Sequence, residues 1–198
     1  MSPVKEKTDL VMRRQEQVLS AATKLFIKKG FHKTTVRDIA RESGLGVGPI
    51  YDYVKNKEEI LFMIHSRVLN QIYKGLEKSM FGEKDAKAKL RGMIKILFNM
   101  CDRHQNLVIL IYQESHILSN AMQKKIMTGE KKSITFFEKV LEEGIKNKVF
   151  AKCNPKFTAN MIISMVHGWV LKRWDLKNLK RETGLKYTIE MIMKTLSV

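Results

Sequence analysis

The stretch TTVRDIARESGLGVGPIYDYVKNKEE, residues 34–59, decides how the chain is read. Thr35 can cap a helix with its hydroxyl, and Asp38 brings a carboxylate to the first turn, where the helix dipole favours it. Val36, Ile39 and Ala40 face inward, and Ser43-Gly44 ends the helix. A second short helix is predicted beyond it, with Val47, Ile50, Tyr51 and Val54 as one stripe. Two short helices about a glycine turn, over residues 35–54, have helix-turn-helix proportions, in which the second helix enters the DNA major groove. A plain helical hairpin inside a bundle fits the same pattern. Asn56 then caps a longer helix, with Glu59 as its capping-box partner.

Helical spacing continues on both sides. Val18, Ala21, Ala22, Leu25 and Phe26 form one face of a helix over about 13–29, ending on Lys28-Lys29-Gly30. Leu61, Ile64, Val68, Ile72 and Leu76 line the helix begun at Asn56. Five more helices are predicted at roughly 84–103, 105–118, 120–149, 155–175 and 181–197. Asn120 with Gln123 reads as another capping box, and Pro155 suits a first helical turn. The fold class is therefore all-α, with about nine helices.

A chain of 198 residues can bury a core without staples, and two cysteines, Cys101 and Cys153, are too few for a disulfide framework. No apolar run approaches the ~20 residues that span a bilayer, and the polar first ten residues hold no signal-peptide core. A cytoplasmic protein without a membrane partner is expected. The net charge is +17, of which residues 1–60 hold only +4 and residues 61–198 hold +13. Such an excess suits a polyanionic partner and suits equally a solvated lysine-rich surface.

The order Gly-Phe, Thr-Thr-Val-Arg-Asp-Ile-Ala, Ser-Gly-Leu, Ile-Tyr-Asp-Tyr-Val-Lys-Asn-Lys-Glu-Glu resembles the amino-terminal domain of TetR-family repressors over residues 13–62. The remainder resembles that family only in helix number and length. The resemblance implies a DNA-binding domain at 1–55 and a helical ligand-binding and dimerisation domain at 56–198. It implies a double-stranded DNA operator, a homodimer and a small apolar or amphipathic ligand that releases the repressor. It places Thr35 and Arg37 against phosphate and a base edge, and Gly46, Val47, Gly48 and Pro49 at the start of the recognition helix. Tyr51 and Tyr53 take its aromatic positions, and Lys57 matches a phosphate-binding lysine. The family commonly has Ser at position 46 and a small hydroxyl residue or Ala at 49. With Gly46 and Pro49 there instead, base reading is expected to rest on thymine methyl contacts, on Arg37 to guanine and on DNA shape. Lys5, Lys7 and Arg14, in or beside the segment before the first helix, suit a minor-groove arm or a disordered tail.

Catalytic and metal chemistry find no support. His32, His65, His104, His116 and His167 are scattered, Cys101 and His104 lack a second ligand pair, and no CxxC, HExxH or GxSxG occurs. No enzyme activity, metal or cofactor is expected. In the second half, Met161, Met165 and Trp169 line one side of a helix whose other side carries Ile162, Val166 and Val170. The resemblance makes Met161, Met165, Ile189 and Met191 dimer-interface residues, although packing within one chain would also bury both sides. It makes Phe98, Ile109, Tyr112, His116, Phe137 and Trp169 ligand-lining candidates, each also readable as plain core. The basic second half suits a fatty acid or acyl-CoA. A helical protein-interaction module without DNA binding is the alternative.

Overall fold

The computed structural model describes residues 3–83 and 85–198, and no side chain before Thr8 is among those described. Among the described residues there are eight α-helices: α1 Pro3–Lys29, α2 Val36–Ser43, α3 Lys57–Gly82, α4 Ala86–Arg103, α5 Gln105–Glu114, α6 Asn120–Lys146, α7 Pro155–Leu171 and α8 Arg181–Thr195. Short 3-10 turns occupy Pro49–Asp52, Ser115–Ile117 and Leu176–Asn178. No strand occurs among the described residues, and no helix among them is long and apolar enough to cross a membrane. The all-α expectation holds.

Three local expectations are corrected. The first helix begins at Pro3, ten residues before Arg13, so the expected tail or arm is helical; the side chains of Lys5 and Lys7 lie outside those described. Residues 4–12 contain no Gly or Pro and are mostly good helix formers, and proline suits a first helical position. At the start of α6 the cap is Ser119, whose Oγ accepts from Met122 N at 3.3 Å. Asn120 is already helical, and the Gln123 amide donates to the Leu118 carbonyl at 2.9 Å instead. The helix expected over 155–175 stops at Leu171.

The residues divide into two compact units. One spans the chain up to Arg67 together with Ile109–Ile126; the other comprises Val68–Val108 and Met127–Val198. The compact units part within α3, α5 and α6, away from the expected boundary at 55/56. In the first unit α1 packs on α2. Val18, Ala22 and Phe26 are buried there, as are Ile39, Ala40 and Ile50. In the second unit α4 packs on α7 and α8, burying Leu90, Met93, Ile94 and Phe98.

Trp169 is the hub of that second packing. Its ring lies 5.2 Å from that of Phe98, and its Nε1 donates to Asp102 Oδ1 at 2.8 Å. Arg181 at the start of α8 reaches the same carboxylate, Nε to Oδ2, at 3.1 Å. Gly184 lets α8 approach the indole: a Cβ there would fall 2.3 Å from its Cζ3. Gly184→Ala is therefore expected to lower stability by about 1–3 kcal/mol, the usual cost of overpacking, in a denaturant titration.

His65 of α3 is buried, and loss of water pushes its imidazole down to about 4. The unfolded chain, with an ordinary histidine near 6.5, binds the proton first. Stability is then full above about pH 6.5 and falls as pH drops toward 4. His65→Gln should remove a loss on the order of 1–3 kcal/mol over that window, read as Tm against pH.

Candidate nucleic-acid interface

The interface starts from the cap of α2. Thr35 is extended, its Oγ1 accepts from Asp38 N at 3.1 Å, and Asp38 Oδ2 accepts from Thr35 N at 3.0 Å. This is the reciprocal capping box that the sequence contains. The Thr35 backbone N–H, then its hydroxyl, and more weakly Lys29 at 3.6 Å, hold the Asp38 carboxyl below its usual range. The Thr35 hydroxyl also donates to Asp38 Oδ2 at 2.9 Å. Its one proton is thus engaged, and a phosphate here would have to displace Asp38 or use backbone N–H groups of the first turn.

Arg37 projects from the exposed side of α2, and Arg41 repeats it one turn later. Neither guanidinium has a hydrogen bond or ion pair among the described residues, so both are available to DNA. The i, i+4 spacing that pairs them was present in the sequence, and Arg41 escaped the sequence reading. Gly44 closes α2 with φ +73°, a left-handed conformation that favours glycine, and its N–H turns back to the Ala40 and Arg41 carbonyls.

The recognition segment is shorter than the helix expected there. Gly46–Gly48 form a turn and only Pro49–Asp52 are helical, as one 3-10 turn. Ile50 N donates to Gly46 O at 3.2 Å and Tyr51 N to Gly48 O at 3.1 Å. Two glycines and a proline that lacks an N–H leave too few favourable residues to propagate an α-helix. The expected stripe splits accordingly. Ile50 and Val54 are buried, whereas Val47 and Tyr51 are exposed, at 43 % and 54 %. Gly46, Gly48 and Pro49 are exposed and Tyr53 is half-buried. A Cβ at position 46 would stand 3.2 Å from Pro49 Cδ, so the proline ring itself disfavours the serine common at 46.

Lys57, at the start of α3, turns inward. Its Nζ donates to the Phe31 carbonyl at 3.0 Å and lies 3.4 Å from that of His32, over the Phe31 ring at 4.5 Å. One of its three protons remains for phosphate. Beside it Asn56 Oδ1 caps Glu59 N at 2.8 Å, while Glu59 reaches back to Lys55 N at 2.6 Å, one residue before the expected partner.

The comparisons agree with this geometry. The family model for bacterial regulatory proteins of the tetR family matches residues 18–64, and that for a tetracyclin repressor-like C-terminal domain matches 83–174. The chain belongs to the TetR family. Among its relatives is the HTH-type transcriptional regulator HbdR of Aromatoleum sp. (strain CIB), 28% identical over 165 residues, which are 83% of this chain and 72% of HbdR. The fatty acid metabolism regulator protein of Bacillus subtilis (strain 168) is 29% identical over 131 residues, 66% of this chain and 68% of that protein. A solved TetR-family regulatory protein from Rhodococcus RHA1 shares the fold, with a TM-score of 0.84 at 17% identity over 93% of this chain and 97% of that one. The chain is thus a DNA-binding transcriptional regulator of the TetR family, which sets aside the protein-interaction alternative.

The other candidate residues are dispersed. Phe98 and Trp169 stack in the second unit, where Phe137 is also buried. Ile109, Tyr112 and His116 belong to the first unit; Tyr112 and His116 are exposed, and His116 Nδ1 is 2.8 Å from the Gln113 carbonyl. Met161, Met165 and Met191 are exposed and Ile189 is half-buried. No group of three or more metal-ligating side chains occurs among the described residues. Cys101 is buried and its thiol is pushed up to about 12, first by loss of water and then by Asp102, so it stays protonated at neutral pH.

Arg37→Ala should relax sequence preference at one position of each half-site and lower affinity by about 1–3 kcal/mol, measured by binding selection from a random DNA pool. An unchanged selected sequence would remove Arg37 from base reading.

Proposed function

We propose that this regulator is a cytoplasmic homodimeric repressor released from its operator by a small amphipathic ligand. The single observation that carries the DNA half is the exposed set Arg37, Val47, Gly48, Pro49 and Tyr51 at the helix-turn-helix, with Arg37 unengaged. Arg37 reads a base edge, Val47 and Pro49 meet thymine methyls, and Gly46 and Gly48 allow close approach; Tyr51, Tyr53 and Lys57 serve the phosphates, joined at Thr35 by a phosphate that displaces Asp38 or takes the first-turn N–H groups.

The homodimer rests on two apolar stripes facing outward. Phe157, Met161 and Met165 recur every four residues on α7, and Tyr187 and Met191 do so on α8, all more than a third exposed. Stripes of this kind need a partner, and a second copy supplies matching ones. Two copies set their recognition segments about 34–36 Å apart, one turn of DNA. Met161→Glu with Met191→Glu should yield monomers in sedimentation and weaken operator binding at least tenfold; a persisting dimer would place the interface elsewhere.

The ligand proposed is a fatty acid or acyl-CoA, by analogy with the B. subtilis relative named for fatty acid metabolism and in keeping with the +13 of residues 61–198. Phe98, Phe137 and Trp169, all of the second unit, remain its candidate contacts. Fluorescence anisotropy with DNA from upstream of the protein's own gene, beside scrambled DNA at two salt concentrations, tests the reading. Preferential, salt-sensitive binding reversed by oleoyl-CoA is expected. Equal binding to both DNAs would make the protein a non-specific binder of that fragment, and DNA release by neither oleate nor oleoyl-CoA would end the fatty-acyl proposal.

A further inference from the structure

Glu114 is half-buried where α5 gives way to its 3-10 turn. Its side chain is only 15 % exposed and its Oε2 accepts no hydrogen bond among the described residues. A carboxylate drawn out of water needs a compensating charge. The His32 imidazole is its neighbour: Nε2 lies 3.0 Å from that oxygen, an ion-pair distance without hydrogen-bond geometry. His32 sits in the loop between α1 and α2, far from Glu114 in sequence, in the same compact unit.

His32 is tied in turn to the interface. Its ring stands edge-on to Phe31, with centroids 5.5 Å apart at 89°. Lys57 Nζ binds the Phe31 carbonyl, approaches that of His32, and covers the Phe31 ring. Contacts therefore run from Glu114 through His32 and Phe31 to Lys57, which opens α3 just after the recognition segment. The turn beyond Glu114 is braced as well, by His116 Nδ1 on the Gln113 carbonyl and by Gln123 on that of Leu118. Residues 109–126 belong with the DNA-binding head, while α5 and α6 themselves extend beyond that unit.

We propose that the His32–Glu114 pair is the positioning contact through which the α5–α6 turn holds the DNA-binding head. With the pair in place the α1–α2 loop is restrained, and less freedom is lost on binding DNA. Glu114 faces His32 from α5, and Lys57 of α3 and the chain neighbour Lys33 stand beside it. The inference rests on operator binding, which the wild-type protein reports independently in the same experiment.

The test takes the DNA site that wild-type protein selects from a random pool and measures its Kd. His32→Gln, Glu114→Gln, the double variant and His32→Lys are compared, with Tm recorded for each. Each glutamine variant should bind about two- to fivefold more weakly, and the double no more weakly than the singles. His32→Lys, which sets a cation beside Glu114, should bind close to wild type. Additive losses, or a wild-type Kd in Glu114→Gln, would overturn the proposal. Failure of the wild-type protein to enrich any sequence would strike the DNA reading itself.

Discussion

The ammonium group of Lys57 closes the loop that joins α1 to α2, and the DNA-binding head depends on that closure. Where α1 ends, Gly30 turns the chain with φ +83° and Phe31 folds back onto Phe26, ring centroids 4.9 Å apart. Carbonyls in such a reversal have no helical partner. Thr34, fully buried, donates to that of Gly30 at 2.8 Å, and Lys57 serves Phe31 and His32 from the first turn of α3. One cation thus fixes the end of α1, the approach to the Thr35 cap and the start of α3. The recognition segment lies between the last two, and its position follows from theirs. A lysine held this way is a structural member first, and its remaining proton is what DNA can use.

The second unit applies the same logic to an indole. Trp169 buries its ring against Phe98, gives its N–H to Asp102, and carries Arg173 on its face at 4.6 Å from the centroid. Arg173 in turn donates to the carbonyls of Leu176 and Leu179, and Arg181 joins Asp102 from α8. Hydrogen bonds to charged groups contribute about 1.5–3 kcal/mol each when their partners are retained. Here they set the turn between α7 and α8, and so the relative angle of the two faces that expose Met161, Met165 and Met191. Rigid presentation matters for such a face, because a loosely held one would lose more entropy on pairing.

Much of this was legible in the sequence, and the reasons differ from place to place. Helical spacing exposed the core: Val18, Ala22, Ile39 and Leu76 are all buried as their periodicity requires. The Thr35 cap and the acidic first turn at Asp38 were readable because both lie within one turn, whereas the return bond from the Thr35 N–H to Asp38 was not read. The recognition segment was misjudged because its apolar spacing is helical while Gly46, Gly48 and Pro49 oppose helix formation, and the backbone preference won. Ile189 was only half outward, since one residue of rotation on α8 separates it from exposed Glu190 and Met191. The inward bonds of Lys57 and the His32–Glu114 pair were not legible at all. They join distant parts of the chain through polar atoms, and periodicity carries no information about such partners.

The charge distribution then acquires a physical meaning that composition alone could not give it. Only +4 of the +17 lies in residues 1–60, where DNA is met. In the second unit the ion pairs include Lys89–Glu143 and Lys186–Glu190, yet that half keeps a large cationic surplus. Charges away from the contact act over roughly the Debye length of about 10 Å, which speeds encounter with a polyanion without reading its sequence. The same surplus opposes pairing of two copies, since a dimer carries twice the charge. In the proposed dimer the apolar stripes on α7 and α8 would have to outweigh that repulsion, and salt weakens the repulsion while it also weakens phosphate binding. Ionic strength would then pull the proposed assembly and DNA binding in opposite directions, and a duplex, by neutralising both copies at once, would favour the dimer it bound.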